Sequence, residues 1–451
     1  MFRKQNLLSI LLCFSSFSQA EVNNNLDHPL IIGYYSSLNF DSDYQTVLLD
    51  REVARESIAL AKAGLLPIVS ANYNRTNNTT DQKTTNAFGG TTNQLFNYPS
   101  TSKGFILQQP LIRPKSWLTY FQSISQDDGA KLKLANGLQN LVMRVIQYYL
   151  DVNQLSHQFF LQEINIKKYE HWSSQNNKLM KAGLITIPQQ EEVRARLLLE
   201  KENLSEIKNN LKKAKLNYQN STGIDISNML PINSSNLKIF YNKYPALDIY
   251  LIDVEKSNID VQVKKRDVQN ADYEVKKFFA DHLPTVSLVL SNSYSSSGQD
   301  LSIGRELRTN SIGIQATFPI FTGGQTQSYV RQSTLTREKI KSELNSLERK
   351  IKIDASTDYV ALSNALNKID ALKNQVKSAE LKLNGLKKGR NAGISTDLDI
   401  ISSEYELENL KFELTKMSGI AIILYAKLHM YVGDLADEML ISLAGLKSNK
   451  N

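Results

Sequence analysis

Ala392-Gly393-Ile394-Ser395-Thr396-Asp397-Leu398-Asp399-Ile400 closes a long tract that contains no proline after Pro319. The same run of small, apolar and hydroxylated residues stands 210 positions earlier, as Ala182-Gly183-Leu184-Ile185-Thr186-Ile187-Pro188. Two more landmarks keep that spacing. Gln109-Pro110-Leu111-Ile112 is answered by Phe318-Pro319-Ile320-Phe321 at 209 residues, and Ser221-Thr222-Gly223 by Tyr431-Val432-Gly433 at 210. Leu66-Pro67-Ile68-Val69-Ser70 returns as Leu283-Pro284-Thr285-Val286-Ser287 at 217, because the two prolines stand 43 positions apart in one half and 35 in the other. Chance matches would not hold this order and spacing, so the chain is an internal duplication.

Outward from each of these turns the sequence reads as helix. No proline falls between Lys115 and Ile187, or after Pro319. An interior proline costs a helix about 3 kcal/mol, so residues 115–181 and 325–391, 67 in each tract, are free to form very long helices. At about 1.5 Å per residue each would reach ~100 Å. Leu362, Leu366, Ile369, Leu372, Val376, Ala379, Leu383 and Leu386 step by three and four. Val193, Leu197, Leu204, Ile207, Leu211, Ala214 and Tyr218 keep similar spacing on a returning helix. Both patterns form a coiled-coil-like seam. Gly183 and Gly393 supply a left-handed helix end, Thr186 and Thr396 suit the start of the next helix, and Pro188 fits its first turn. Two helical hairpins are expected, at about 115–220 with its tip at 182–188, and at about 323–430 with its tip at 392–397.

Ahead of each hairpin the period changes from helical to two. Val69, Ala71 and Tyr73 alternate with Ser70, Asn72 and Asn74. Val286, Leu288 and Leu290 alternate with Ser287, Val289 and Ser291, and Ile312, Ile314, Ala316 and Phe318 with Ser311, Gly313, Gln315 and Thr317. Phe105 and Leu107 give a weaker version. Strands are expected at about 65–75, 102–111, 284–294 and 309–320, with Pro110, Pro319, Gly323 and Gly324 at the bends from strand to helix. One apolar and one polar face is the pattern of a transmembrane β-barrel strand, and equally of a sheet lying on a soluble core. The connecting tracts 77–98 and 295–307, rich in Asn, Thr, Ser and Gly, read as long extracellular loops and favour the membrane. Four strands cannot close a barrel, and an open edge is forbidden in lipid. The strands therefore call for an obligate homo-oligomer, with eight strands from two copies or twelve from three.

The N-terminus has the tripartite form of a secretory signal peptide at 1–20: Arg3 and Lys4, an apolar run, then Ser18-Gln19-Ala20. The only cysteine, Cys13, lies inside it, so no intrachain disulfide can form. No later run is long and apolar enough for a spanning helix, and a mean hydropathy of −0.33 is too polar for a helical membrane bundle. The net charge of +8 is spread among interleaved acids, and the lysine-rich stretch 208–215 reads as a solvated helix face rather than a nucleic-acid patch. His28, His157, His171, His282 and His429 lack ligand spacing, and Gly323-Gly324 lacks the Lys-Ser/Thr of a phosphate loop. No metal, cofactor or enzymatic activity is expected.

The ordered, duplicated set of Leu-Pro strand openings, Phe318-Pro319-Ile320-Phe321-Thr322-Gly323-Gly324 and the two tips resembles the TolC-like outer membrane efflux protein family, across roughly residues 26–433. The resemblance implies a mainly α fold with transmembrane β: a repeated unit of one long antiparallel helical hairpin and two strands. Repeats at 21–230 and 231–433 would be followed by a flexible tail at 434–451. Three copies would assemble a twelve-stranded β-barrel on a twelve-helix α-barrel, in the outer membrane of a Gram-negative bacterium. Such a duct takes cargo from an inner-membrane pump through a periplasmic adaptor. Gly183, Leu184, Gly393 and Ile394 would then face the adaptor. Asp399 would line the periplasmic entrance, where the first tip departs from the family with Gln189. Ser395 stands where the family often has a latching arginine. Two other readings fit less of the chain: a coiled-coil structural or adhesive protein explains the helices alone, and an adaptor needs only one hairpin.

Overall fold

The computed structural model describes residues 28–85, 87–226, 235–299, 302–391, 393–435, 440 and 443. The signal peptide expected at 1–20, and the tail apart from Asp434, Leu435, Leu440 and Leu443, lie outside the described residues. In chain order the elements are α1 (Pro29–Phe40), α2 (Ser42–Ala63), β1 (Ile68–Thr85), β2 (Thr91–Ile112), α3 (Pro114–Lys181) and α4 (Ile187–Thr222). After a short 3-10 turn (Ser235–Lys238) come α5 (Ile239–Lys243), α6 (Leu247–Ser257), α7 (Ile259–Ala280), β3 (Thr285–Gln299), β4 (Ser302–Thr317), α8 (Gln325–Asn391) and α9 (Asp397–Tyr431). They sort into two compact units, one of residues 50–132 and 262–345, the other of residues up to 49, 133–261 and 346 onward.

In the first unit the strands form one antiparallel sheet in the order β1-β2-β3-β4, so β1 and β4 each leave an edge unpaired within the chain. Val69 pairs with Leu107, Leu107 with Leu290 and Leu290 with Ile312, which makes one apolar row across all four strands. Leu288 opposite Ile314 and Val286 opposite Ala316 continue that face, while Ser70, Ser291 and Ser311 belong to the other. Gly104 lets β2 approach β3 closely, since a Cβ there would stand 2.5 Å from the carbonyl oxygen of Asn292. Around the sheet, Lys115 Nζ donates to Asp281 at 2.8 Å, Gln122 donates to the Asn270 carbonyl at 3.1 Å, and Phe278 stacks on Tyr329 at 5.1 Å.

The strands run well past the alternating segments. The tract 77–98, expected as loop, is paired strand out to Thr85 opposite Thr91, and Ser295 pairs with Leu307 inside the second expected loop. Most residues on both faces of the first extension are polar, and its apolar Leu95 and Phe96 are adjacent and so fall on opposite faces, so no alternation marks it. It is held by backbone pairing and by side chains bonded across the ladder, such as Thr76 to Ser100 at 2.6 Å and Thr79 to Asn97 at 2.7 Å. Pro110 is likewise corrected: it lies inside β2 and not at the bend. Having no N–H, it sits where the β2–β3 register shifts between Pro110 and Ile112, and α3 starts at Pro114.

The second unit buries the seams. Leu362, Leu366, Ile369, Leu372, Ala379 and Leu383 are buried on α8, as are Val193, Ile207, Ala214 and Tyr218 on α4. Short helices, unread in the sequence, then pack on the long ones. His28, at the start of α1, packs on Tyr149 of α3 at 5.7 Å, Tyr149 meets Tyr218 of α4 edge-on at 6.4 Å, and the Tyr218 hydroxyl donates to the Pro29 carbonyl at 2.9 Å. α5 and α6 place Phe240 among Tyr244, Tyr250, Tyr359, Tyr425 and His429, with ring centroids 5.2–6.1 Å away. Burial raises the hydroxyls of Tyr244, Tyr250, Tyr359 and Tyr425, and burial with the neighbouring Tyr359 pushes Tyr241 up to about 12. The duplication survives in detail: Asp41 accepts from the Tyr44 amide at 3.0 Å at the start of α2, and Asn258 from the Val261 amide at 3.1 Å at the start of α7.

Candidate functional site: the hairpin tips

Each tip is a helix end, a five-residue turn and a helix start. Gly183 has φ +72° and Gly393 φ +74°, a region closed to most side chains. Gly183 N–H bonds the Met180 carbonyl at 3.0 Å and Leu184 N–H the Leu179 carbonyl at 2.9 Å. Gly393 to Arg390 and Ile394 to Gly389, both 2.9 Å, repeat the arrangement. This is the Schellman ending, which satisfies the last carbonyls of the outgoing helix. It leaves Leu184 and Ile394 exposed, Ile394 at 83%, with Ile187 also exposed at the first tip.

The returning helices are capped alike but charged differently. Thr186 N–H donates to Gln189 Oε1 at 2.8 Å, and Thr396 N–H to Asp399 Oδ2 at 2.8 Å. Asp399 N–H completes a capping box by donating to Thr396 Oγ1 at 3.2 Å. The Thr396 hydroxyl, then its backbone N–H, hold the Asp399 carboxyl below the usual carboxylate range. Asp399 and Gln189 thus occupy matched exposed positions, one an anion and the other neutral. Ser395 lies against Gly389, where a Cβ would come 2.7 Å from its hydroxyl. Arg390 forms an ion pair with Asp397 across the second turn, a partnership missed in the sequence because only the turn brings the two residues together. Further from the tips, Lys168 of α3 stands 4.0 Å from the ring centroid of Tyr405 on α9.

The bend residues belong to the other unit and are not part of the tips. Pro319 lies in the connector after β4, and Gly323 and Gly324, with φ +63° and +81°, turn the chain into α8. No helix among the described residues is long and apolar enough to cross a membrane.

The family model described as "Outer membrane efflux protein" matches residues 34–223 and 252–414. The chain is similar to "Proteases secretion protein PrtF" of Dickeya chrysanthemi, 24% identical over 98% of this chain and 95% of that protein. It is also similar to "Alkaline protease secretion protein AprF" of Pseudomonas aeruginosa, 26% identical over 92% and 86%. Among solved structures, the Campylobacter jejuni CmeC outer membrane channel superposes with a TM-score of 0.70 at 14% identity, covering 90% of this chain and 86% of that one. With the family matched over most of its length, its paired helical hairpins and its strands, the chain belongs to the outer membrane efflux protein family, the outer-membrane channels of efflux and type I secretion systems in Gram-negative bacteria.

Proposed function

We propose that three copies of the chain close their sheets into one twelve-stranded barrel, continued by a twelve-helix tunnel into the periplasm. The observation that carries this reading is the sheet itself, whose apolar face spans four strands while both edge strands end unpaired. In hydrocarbon each unpaired N–H or C=O costs several kcal/mol, so the edges must find other copies. Channels of this family work with an inner-membrane pump and a periplasmic adaptor. The exposed apolar residues Leu184 and Ile394, held on rigid turns by Gly183 and Gly393, suit the adaptor's docking surface. Three Asp399 carboxylates near the tunnel axis would favour cations at the entrance, with Gln189 leaving the ring half charged. Ser395 supplies no latching cation, and Arg390 is engaged by Asp397 within its own tip. The names of PrtF and AprF support protein export as the cargo class. The reading is tested by planar-bilayer conductance of the detergent-solubilised oligomer. Discrete pores from a trimer of the outer-membrane fraction are the expected result, and a soluble monomer without conductance overturns it.

A further inference from the structure

One register row of the sheet gathers two cations around a tyrosine, and the next row on that face adds Arg75 and Glu306 at its two ends. Tyr73 pairs with Lys103, Lys103 with Tyr294 and Tyr294 with Arg308. Two cations therefore flank one aromatic ring: Lys103 Nζ lies 5.0 Å from the Tyr294 centroid and Arg308 Cζ 5.8 Å. Neither has a carboxylate partner among the described residues. The row is on the apolar face, since Lys103 is two steps of two from Leu107, and Arg308 two steps of two from Ile312. An unpaired cation on a lipid-facing surface costs several kcal/mol at mid-bilayer and little at the interface, so its depth matters.

The strand length gives that depth. Arg308 and Thr317 are nine residues apart on β4, about 31 Å along the strand. With the tilt usual for barrel strands this is a height of about 24 Å, close to that of an outer-membrane apolar band. Exposed Phe318 and Phe321 mark the opposite border. Strands β1 and β2 continue beyond the cation row toward their connecting turn, away from the helices, so the row lies at the outer-leaflet interface. Between the row and mid-sheet an open groove of about 520 Å³ is lined by Val69, Phe105, Leu107, Leu290 and Ile312, with Ser291, Asn292, Asn310 and Ser311 at its polar side. A groove for acyl chain and two free cations one headgroup away describe a single kind of occupant.

We infer that this row binds the phosphate of an anionic lipid of the outer leaflet, with an acyl chain in the groove beneath it. Lys103 and Arg308 hold the phosphate, and Tyr73 and Tyr294 fix the depth of the interface. The site rests on the barrel reading, because only a closed barrel turns this face to lipid. It is tested on the full-length protein in phosphatidylcholine nanodiscs doped with bisphosphorylated lipid A, or with the same lipid stripped of its phosphates. Retained lipid is counted by native mass spectrometry. The wild type should prefer the phosphorylated lipid by about 30-fold, the combined effect of two cations at an anionic surface. Lys103→Gln with Arg308→Gln should abolish the preference, and Lys103→Arg with Arg308→Lys should keep it. Equal retention of both lipids by the wild type, an undiminished preference in the Gln pair, or displacement by inorganic phosphate alone each overturns the site. Bilayer conductance separates the two readings: wild-type pores without a phosphate preference remove the lipid site alone, whereas a wild type without pores removes the duct as well.

Discussion

Ser221 Oγ donates to Asp41 Oδ2 at 2.7 Å, tying the start of α2 to the end of α4. The second repeat makes the same tie with different chemistry: Asn258 Nδ2 donates to the Tyr431 carbonyl at 3.0 Å, at the start of α7 and the end of α9. Asp41 also takes an ion pair from Arg144 at 2.7 Å. Asp41→Ala removes a cap and the tie to Ser221, and leaves the half-buried Arg144 guanidinium with only its second partner, Asp43 at 2.7 Å, an expected loss of about 2–3 kcal/mol. Asn258→Ala loses a neutral cap and tie, about 1–2 kcal/mol. Melting of the detergent-solubilised protein reads both, and equal losses would contradict the added weight given to Arg144.

Gly33 faces the buried ring of Tyr218 so closely that an added Cβ would lie 2.9 Å from Cζ. Gly33→Ala is expected to destabilise by about 1–3 kcal/mol through overpacking. Tyr218→Phe alone loses the bond to the Pro29 carbonyl, about 1 kcal/mol. Because the phenol oxygen is part of the clash, the double variant should be more stable than the two losses added together. A strictly additive double variant would place the strain elsewhere.

Ile394 is 83% exposed at the second tip. Ile394→Asp should therefore change melting by less than about 0.5 kcal/mol while reducing export sharply, because a charge would enter the proposed apolar docking surface. Export assays at matched oligomer levels check this. Full export with that substitution removes Ile394 from the docking surface.

The two tips should respond differently to acid. Asp399 is held below its ordinary range by Thr396, so its contribution is present above the unfolded carboxylate value and is lost as pH falls through the lower folded one. The window lies below about pH 4. Gln189 does not titrate. Amide-exchange protection at residues 396–400 should drop on acidification while residues 186–190 hold, and Asp399→Asn should make the two tips alike. Parallel loss at both tips, or a wild-type response in the variant, contradicts this.

The long helices and their tips were legible because their signals are local. Proline is absent over long tracts, Gly183 and Gly393 are needed where φ turns positive, and Leu362 to Leu383 repeat at helical spacing. The strand extensions were not legible, because Thr76, Thr79, Asn97 and Ser100 are polar on a ladder whose few apolar residues, the adjacent Leu95 and Phe96, show no period of two. Helices α5 and α6 were missed for another reason. Their order comes from Phe240 and Tyr250 packing on Tyr359 and Tyr425, residues more than a hundred positions away. At the site, the capping residues followed from spacing, but the Arg390–Asp397 pair appears only once the turn has folded.

The bare margins of β1 and β4 bear on inheritance as well as on architecture. In the proposed three-copy barrel, a subunit whose margin is blocked would still recruit healthy neighbours on its other side, and the wall it joins would then not seal. Damage confined to one margin should thus act dominantly when mutant and normal genes are expressed together. Loss of the whole chain should be silent beside a normal copy.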